Sequence, residues 1–481
     1  MRRDATLRAR LEAASARLAR EDPLLATVVE TAGRSRVRLL LVGGIPRDLA
    51  LRLPPRDADF VLAGGSARRR RGFLRSLARR LGRRVITFRK RGIVDHRIPI
   101  DGRDHDFVEL RRGRLTGELR RRDFTINAVA FDLRSGRLHD PCGGLRDLVA
   151  RRLRANSRGV FRDDPVRMLR AVRLRCELPR FSIARRTLAM IRRDAALIGR
   201  TAPERIRDEL DRILASPRAS QGIGLLDRLG LLGRLMPEIA PLRRLAQNRY
   251  HHLDAWRHTL ASLRAADNLD ELARPLRDVE LPLSLSREDR LLLRWALLLH
   301  DLGKAETRTV GEDGEFHFFG HEKRSGALGF RVMRRLLVPT RRLRAVRRLI
   351  ELHLRVAFPP QGDPSDKACR RLIRDAGEMT PLLVLHSLAD KTATKGAGWK
   401  RSMAGLLRAS RKLLLMYQAS GREIISPPRL VDGHDVMRLL GIGPGVAVGR
   451  VLAGIRAGQA AGEIATREQA LAFIAALAPG A

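Results

Sequence analysis

The sequence predicts an α+β fold, in which a head of mixed strands and helices is followed by a chain that is almost entirely helical. Strand-like apolar runs that end in glycine or alternate with carboxylates are confined to the first 155 residues or so. From Asp163 onward, apolar residues recur at the 3.6-residue spacing of amphipathic helices. A length of 481 residues with 44% hydrophobic residues predicts about three domains with packed cores.

The predicted elements of the first part follow in chain order. Residues 4–32 have the pattern of an amphipathic helix, and residues 125–133 are also expected to be helical. Three strands are expected at residues 37–44, 56–62 and 105–111, and the first of them runs into a glycine turn. A second glycine turn, within 141–148, is expected to lead into a short helix.

The helical remainder divides by its motifs. A linker is expected at residues 427–436, and two short helices with glycine-rich joints are expected in the last 45 residues. The resulting domain prediction is a head at 1–155, a helical neck and body at 156–245, a histidine-containing helical domain at 246–400 and a helical tail at 401–481.

The net charge of the chain indicates what kind of partner it binds. Lys and Arg number 96 against 53 Asp and Glu, so the formal net charge is +43, which predicts a polyanionic partner such as nucleic acid. A GC-rich genome would explain why Arg exceeds Lys, but it would not explain the excess over acidic residues. No run of about 18 apolar residues occurs, and the basic, amphipathic N-terminus does not resemble a signal peptide, so we expect no membrane association. Cys142, Cys176 and Cys369 form no CxxC pair, which favours a reducing cytoplasm.

Two adjacent patterns in the head indicate phosphate and metal chemistry. The turn LVGGIPRD has no side chains at Gly43 and Gly44, so backbone N–H groups can approach a phosphate there, and Arg47 can reach the same group. Asp57 and Asp59, two residues apart on a strand, share one face and repel each other unless a cation such as Mg²⁺ lies between them.

Asp106, on the third predicted strand, can complete this carboxylate set. Taken alone, two carboxylates at this spacing are more typical of a solvated strand face or turn than of a metal site.

Five motifs in order, LVGGIPRD, DADF, RRRDFTINA, DPCGGLRDL and FRDDPVRMLRAVRL, resemble the bacterial tRNA nucleotidyltransferase and poly(A) polymerase family of the polymerase β-like superfamily. The resemblance covers at least residues 37–215 and implies a polymerase β-like head. It implies that Asp57 and Asp59 bind the catalytic metal, with Asp106 as the third carboxylate.

The resemblance also implies roles in binding the nucleotide. Gly44 and Arg47 would bind the triphosphate, and Arg122 and Asp123 would contact the ribose and phosphate. Asp164 and Arg167 would recognise the base.

The base-recognition pair also has a chemical rationale. A guanidinium and a carboxylate together offer the donors and acceptors that match the Watson–Crick edge of C or A without a nucleic-acid template. Arg170 and Arg173 follow Arg167 at three-residue steps on the same helical side and are included in the predicted nucleotide site. Alone, this RxxRxxR pattern would also suit a solvated or RNA-facing basic helix.

One departure from the family pattern bears on specificity. Only RRGRLTGE separates Leu110 from Leu119, whereas relatives that add the full CCA usually carry a longer segment at this point. Relatives that add only CC resemble the shortened form. We therefore predict that tRNA lacking CCA receives two C residues and that the terminal A is added poorly or not at all.

A second constellation lies further along the chain. His258, the His300–Asp301 pair, His321, His353 and Asp390 occur in an order that resembles the HD superfamily of metal-dependent phosphohydrolases. Neutral imidazoles and carboxylates suit Mn, Ni, Fe, Co or Mg ions. The His–Asp pair follows the apolar run LLRWALLL and would be stranded without a ligand or partner.

The same resemblance suggests further roles near this constellation. Lys304 can neutralise charge that develops on a phosphate, whereas His251 and His252 match no ligand position firmly. Some relatives are reported to trim 2′,3′-cyclic or 2′-phosphates with such a domain. The alternative is a degenerate HD fold with a purely structural role.

The predicted function is therefore template-independent addition of CMP, AMP or both from CTP and ATP to the 3′ end of tRNA, together with HD phosphohydrolase activity. A poly(A) polymerase acting on general RNA ends is the first alternative, but an HD domain favours tRNA, and the disordered basic tail usual in those enzymes is not evident here. An HD phosphohydrolase with an inactive head is a further alternative, against which the intact Asp57, Asp59 and Arg122 argue. The last alternative is a non-enzymatic RNA-binding protein, which would require neither two carboxylates on one strand face nor the Asp164–Arg167 pair.

Overall fold

The computed structural model describes residues 2–55, 58–90, 93–100, 103–110, 115–178, 180–279, 285–357 and 364–477. The chain forms two compact units, the first made of residues 1–201 and 229–231 and the second of residues 202–228 and 232–481. Among the described residues no helix is both long and apolar enough to span a membrane.

A mixed β-sheet is the centre of the first unit. Its strands are β1 (Leu39–Val42), β2 (Asp59–Leu62), β3 (Ile86–Lys90), β4 (Ile93–Ile100), β5 (Arg103–Glu109), β6 (Ala130–Asp132) and β7 (Leu138–His139). They lie in the order β3-β4-β5-β2-β1-β6-β7, and β2 runs parallel to β5 while the other neighbours are antiparallel. All four residues of β1 are buried, as expected of an unbroken apolar run at the centre of a sheet.

Helices surround this sheet and continue past it. They are α1 (Arg2–Glu21), α2 (Pro23–Arg34), α3 (Gly44–Ala50), α4 (Ala67–Arg80), α5 (Leu115–Arg120), α6 (Gly144–Val149), α7 (Val160–Asp163), α8 (Arg167–Glu177) and α9 (Arg185–Asp194), with 3₁₀ turns at Thr125–Asn127 and Ala195–Arg200. The short strands β8 (Arg152–Leu153) and β9 (Ser182–Ile183) pair in parallel. The helix expected after the second glycine turn is α6, so that prediction is confirmed.

Two predictions for the first unit were wrong. The single helix expected over residues 4–32 is two helices, because Asp22 accepts the Leu25 N–H as an N-cap and Pro23, which has no N–H to donate, begins α2. The helix expected over residues 125–133 is a 3₁₀ turn followed by β6. The strand β6 pairs with β1, and all of its residues are buried. A short, fully buried run is apolar throughout whether it is a strand or a helix, so the spacing of its apolar residues does not distinguish the two.

The second unit is helical, as predicted. Its helices are α10 (Pro203–Ala215), α11 (Ala219–Arg228), α12 (Leu232–Leu235), α13 (Ala255–Ala265), α14 (Leu269–Ala273), α15 (Arg287–Leu299), α16 (Lys304–Thr307), α17 (His321–Arg335), α18 (Thr340–Leu352), α19 (Asp366–Ala376), α20 (Thr380–Thr394), α21 (Trp399–Ile425), α22 (Gly433–Leu440), α23 (Val446–Ala461) and α24 (Arg467–Ala475). The 3₁₀ turns are Pro237–Leu242, Arg274–Val279, His353–Val356 and Gly377–Met379. A small hairpin pairs β10 (Thr309–Val310) with β11 (Phe316–His317).

The end of the chain also differs from expectation. The last 45 residues were predicted to form two short helices, but α22, α23 and α24 pack around a common core that includes Val436, Ile455 and Ile474. The predicted linker at 427–436 is shorter than expected, because Asp432 caps α22 through a reciprocal capping box and the helix starts at Gly433.

Candidate functional site

Two of the predicted catalytic carboxylates lie on adjacent strands of the sheet. Asp59 is the first residue of β2, and its Cα partner on the parallel strand β5 is Asp106. Partners in a sheet present their side chains on the same face, so these two carboxylates are neighbours. Asp57 lies outside the described residues, and its predicted role stays a prediction.

The first glycine turn is shaped by Asp59. Gly43 has φ +79°, and a Cβ added to it would lie 2.5 Å from Asp59 Oδ2 and 3.1 Å from an Arg122 guanidinium nitrogen. Only glycine fits this position without displacing the carboxylate. Arg122 is itself 3.8 Å from Asp59, so the turn, the carboxylate and the arginine meet as the motifs suggested. Gly44 is the first residue of α3, and a Cβ there would lie 3.4 Å from the Arg47 side chain.

Arg47 begins a chain of hydrogen bonds through the head. Its Nε donates to Asp48 at 2.8 Å and its Nη1 donates to Asn127 Oδ1 at 2.9 Å. The Asn127 amide donates in turn to Asp123 Oδ1 at 2.9 Å, and Arg170 Nη1 donates to Asp123 Oδ2 at 3.2 Å. The predicted triphosphate-binding arginine is therefore tied to the neck helix α8 through Asp123.

Charge around Asp123 is balanced by α8. Burial raises the pKa of this carboxyl, but Arg170, the Asn127 amide and Arg167 outweigh burial and hold the pKa below its usual value. Arg167 lies 3.8 Å from Asp164, and burial lowers its own pKa despite these carboxylates. The structure thus brings Asp164, Arg167 and Arg170 together beside Asp123.

Arg173, the last residue of the predicted basic series, has a different environment. Its side chain is buried and donates to Glu177 Oε2 at 2.6 Å, one turn further along α8. The described contacts do not place it with Asp123.

The DPCGGLRDL motif supports the segment that carries Arg122 and Asp123. A Cβ on Gly144 would lie 2.3 Å from the Thr125 carbonyl oxygen, so the second turn packs directly against the 3₁₀ turn. The buried Asp147 carboxylate accepts the Thr125 hydroxyl at 2.6 Å and Arg154 Nε at 2.7 Å. These contacts fix the backbone on which the nucleotide-binding residues stand.

In the second unit, all six residues of the HD series converge on one buried centre. They come from the ends or interiors of five different helices and turns: His258 from α13, His300 and Asp301 after α15, His321 from α17, His353 after α18 and Asp390 from α20. Their donor atoms form two groups within 4.8 Å, made of His258, His300 and Asp390 and of Asp301, His321 and His353.

Three of the imidazoles are oriented in the same way. His300, His321 and His353 each lie with Nδ1 at 2.6–2.9 Å from the backbone carbonyl oxygen three residues earlier, at Leu297, Phe318 and Ile350. A proton on Nδ1 leaves the Nε2 lone pair directed at the centre, as in metal-ligating histidines.

The centre also leaves buried polar atoms without hydrogen bonds. His300 Nε2 and Asp301 Oδ1 have no hydrogen-bond partner, although both are buried. Such groups are costly unless a ligand satisfies them, and the N and O donor set fits a divalent metal ion.

The pKa shifts of this centre differ between its imidazoles. Burial would lower the pKa of His300, but the neighbouring Asp301 and Asp390 outweigh it and raise that pKa, whereas two other imidazoles are held neutral. Burial lowers the pKa of His353 to about 3, and burial also lowers the pKa of His321. Burial would raise the pKa of Asp390, but its hydrogen bond with His258 Nε2, at 2.7 Å, and the nearby His300 imidazole hold it well below the usual value. Neutral imidazoles and ionised carboxylates are the forms that bind metals without releasing protons.

Three known families match successive parts of the chain. Residues 39–154 match the family described as Poly A polymerase head domain, residues 180–243 match the probable RNA and SrmB-binding site of polymerase A, and residues 256–395 match the HD domain. The A-adding tRNA nucleotidyltransferase of Deinococcus radiodurans is 36% identical over 379 residues, which are 77% of this chain and 81% of the relative. The CC-adding tRNA nucleotidyltransferase of Thermus thermophilus is 33% identical over 444 residues, which are 90% of this chain and 92% of the relative.

This chain belongs to the bacterial tRNA nucleotidyltransferase family. The predicted family, fold class and type of enzyme are thereby confirmed. The solved structure of the Thermotoga maritima CCA-adding enzyme complexed with tRNA has the same fold, with a TM-score of 0.59 at 20% identity and 98% of each chain covered.

Sequence reasoning missed one charged contact in the head of this nucleotidyltransferase. Arg97, on β4, donates to Asp106 through Nε at 2.8 Å and through Nη2 at 3.0 Å, and its Nη1 donates to Asp104 at 2.8 Å. The hydrogen bonds to Asp106 raise the pKa of Arg97. Because β4 was not predicted, nothing in the sequence placed Arg97 opposite Asp106.

Two further residues of the HD region were missed or left without a role, and a third has contacts that were not predicted. Lys304 Nζ lies 2.8 Å from Asp301 Oδ2 and donates to Gln247 Oε1 at 2.6 Å, while its predicted role toward a phosphate stays a prediction. His251 lines a cavity that also contains Asp301 and His321, and burial lowers its pKa to about 3. His386 is fully buried, its ring centroid is 5.4 Å from that of His300, and neither of its nitrogens has a hydrogen-bond partner. Its position four residues before Asp390, on the same side of α20, was the available signal.

Proposed function

We propose that this nucleotidyltransferase adds CMP to the 3′ end of tRNA without a template, with tRNA and CTP as substrates. The observation that carries the proposal is the juxtaposition of Asp59 and Asp106 across parallel strands, with Gly43 and Arg122 packed against Asp59. In the reaction, the 3′ oxygen of the tRNA forms a bond to the α-phosphorus, and the bond to the β-phosphate oxygen breaks to release pyrophosphate.

The carboxylates suit a magnesium site. Asp59 and Asp106, with Asp57 as the family resemblance implies, would hold Mg²⁺, which supplies electrostatic stabilisation of phosphate charge. Gly44 and Arg47 lie at the start of α3, where backbone N–H groups and a guanidinium can contact the triphosphate. Arg122, which lies 3.8 Å from Asp59, would contact the ribose and phosphate.

Base selection is assigned to the neck helix. Asp164 and Arg167 present a carboxylate and a guanidinium beside each other, and Arg167 and Arg170 both interact with Asp123. Anchoring on a buried carboxylate limits the movement of the pair, which favours recognition of one base. Discrimination would come from leaving these polar groups unpaired against a wrong base.

Addition of CC alone is supported by two observations. The connection from the end of β5 at Glu109 to the start of α5 at Leu115 is short, although residues 111–114 lie outside the described part. Curated CC-adding relatives from Thermus thermophilus and Geobacter sulfurreducens align with 90% and 94% of this chain. A short connection has little slack to drive the rearrangement that switching from C to A requires.

Addition of A alone is the second candidate, because the Deinococcus radiodurans relative that is 36% identical carries the name A-adding. One assay separates the two activities. Purified protein is supplied with tRNA transcripts that end before CCA, after C and after CC, with labelled CTP and ATP given separately. Incorporation of C on the first two transcripts, with little or no A on the third, supports addition of CC alone, whereas efficient incorporation of A on the transcript that ends in CC contradicts it.

The HD centre is proposed as a separate phosphohydrolase site. His258, His300, Asp301, His321, His353 and Asp390 would hold one or two ions of Mn, Ni, Fe, Co or Mg. Ions so bound supply an activated water and polarise a phosphoester. Lys304, beside Asp301, would balance negative charge on the bound phosphate.

A further inference from the structure

The mouth of the HD cavity carries a stacked aromatic pair. Phe319 is 80% exposed, and its ring is stacked on the His317 imidazole with centroids 5.3 Å apart and planes 8° from parallel. Both residues line a cavity of about 450 Å³ that also contains Asp301 and His321. Single exposed apolar side chains are common on protein surfaces, so the meaning of this ring depends on where it lies.

Its position is fixed relative to the metal-binding residues. Phe319 is two residues from His321, and two residues span at most about 7 Å. The Phe318 carbonyl oxygen lies 2.7 Å from His321 Nδ1, and Gly320, with φ +76°, turns the chain between the aromatic pair and α17. The ring and the buried centre are therefore parts of one short, hydrogen-bonded segment.

We propose that Phe319, backed by His317, is a base-stacking platform that restricts the HD site to phosphoesters that carry a nucleobase. Every nucleobase has a π face, so such a platform accepts any base and rejects small phosphoesters that lack one. The inference rests on the proposed phosphohydrolase function.

A second cavity beside the first is relevant to whether the substrate is a free nucleotide or the end of an RNA strand. It has a volume of about 490 Å³, and Glu322 and Leu354 belong to both cavities. Arg347 and Arg355, each nearly half exposed, are on its walls. A free nucleotide and the 3′-terminal nucleotide of an RNA strand would bind in the same way in the cavity lined by Phe319. Only an RNA strand would also extend into the neighbouring cavity lined by Arg347 and Arg355.

The test compares substrates with and without a base on the metal-supplemented full-length protein. The substrates are adenosine 2′,3′-cyclic phosphate and methyl riboside 2′,3′-cyclic phosphate. Phe319→Ala should raise KM for the adenosine substrate about 10-fold, which corresponds to the lower part of the range for one stacked base. It should leave kcat and the KM of the riboside unchanged, and Phe319→Trp should restore the wild-type KM. Val310→Ala, which alters an exposed apolar side chain of the hairpin that precedes Phe319, is the matched control.

A binding measurement gives a readout independent of turnover. Ethenoadenosine 2′-phosphate should lose fluorescence when its base stacks on the wild-type protein, and the loss should disappear in Phe319→Ala. If wild type hydrolyses both substrates and Phe319→Ala changes neither KM, the platform is wrong and the phosphohydrolase function stands. If wild type hydrolyses neither substrate and does not quench the probe, both proposals fail.

An oligonucleotide that ends in a 2′,3′-cyclic phosphate separates the two sources. With the platform established by Phe319→Ala, a lower KM than for the mononucleotide supports a strand end reaching the second cavity. An equal KM supports a free nucleotide.

Discussion

Asp59 contacts three separate parts of the head. It faces Asp106 across the parallel strands, lies 3.8 Å from Arg122, and occupies the space that a side chain at Gly43 would need. No other described carboxylate of the head has all three of these neighbours, so Asp59 is the first residue at which to test nucleotidyl transfer.

Asp59→Ala should abolish nucleotide addition while tRNA binding stays within a few-fold of wild type. A lost metal ligand removes several kcal/mol of transition-state stabilisation, which lowers the rate by about a thousandfold or more. The measurement is incorporation of labelled CTP beside a filter-binding assay with tRNA. Asp104→Ala, which removes a half-exposed carboxylate from the neighbouring strand, should retain activity. Turnover in Asp59→Ala at the wild-type rate would contradict the assignment.

Asp164→Ala should relax selection among CTP, ATP, UTP and GTP. The carboxylate is expected to contact the base edge, whereas Arg47, held by Asp48 and Asn127, is expected to contact the phosphates. Loss of one well-placed polar partner typically changes discrimination by about 1–3 kcal/mol, or roughly 5- to 150-fold. The ratio of kcat/KM for CTP to that for UTP gives the answer, and an unchanged ratio would mean that the neck helix does not read the base.

At the scale of elements, the first glycine turn can be tested by itself. Gly43→Ala introduces a Cβ at φ +79° and ψ −123°, a conformation that L-residues rarely adopt and that costs on the order of 1–3 kcal/mol, and it forces Asp59 from its place. We expect a folded protein with a much lower kcat. Gly72→Ala is the control, because Gly72 lies within α4 and a Cβ there meets nothing within 4 Å. Thermal unfolding should show Gly72→Ala equal to or more stable than wild type. Full activity in Gly43→Ala would show that the turn does not position Asp59.

The sequence was most informative where local pattern alone determines an element. The run Leu39–Val42 and the helix after Gly143–Gly144 were predicted correctly, because an unbroken apolar run and a glycine turn act within a few residues. Residues 125–133 were mistaken for a helix, because only the pairing of β6 with β1 decides between two structures of equal apolar pattern.

The same limit applies to the candidate sites. Ordered motifs were enough to place the six HD residues in one centre, whose convergence the structure shows. Arg97 was missed because its partner Asp106 is defined by strand register, and His386 was missed because its neighbours come from other helices. Roles for individual residues, and the expected cytoplasmic location, stay predictions.

At the scale of the whole molecule, the two candidate sites belong to separate compact units and share no residue. Substitutions at independent sites have additive effects, so each activity should be removable without the other. This expectation distinguishes a two-activity enzyme from a nucleotidyltransferase whose HD region only supports the fold.

Asp301→Ala should therefore stop hydrolysis of a 2′,3′-cyclic nucleotide while CMP addition persists at the wild-type rate. Asp301 is buried and its Oδ1 has no hydrogen-bond partner, so the carboxylate oxygen is available to bind a metal ion.

Elemental analysis after dialysis measures the metal independently of hydrolysis. Wild type should retain a divalent transition metal and His300→Ala should lose it, because removing one ligand weakens the binding of the metal by the others. His434→Ala, at an exposed histidine on α22, should keep the wild-type metal content. Absence of both bound metal and hydrolysis in wild type, with Mg, Mn, Ni and Co each supplied, would reduce the HD region to a structural part of the enzyme.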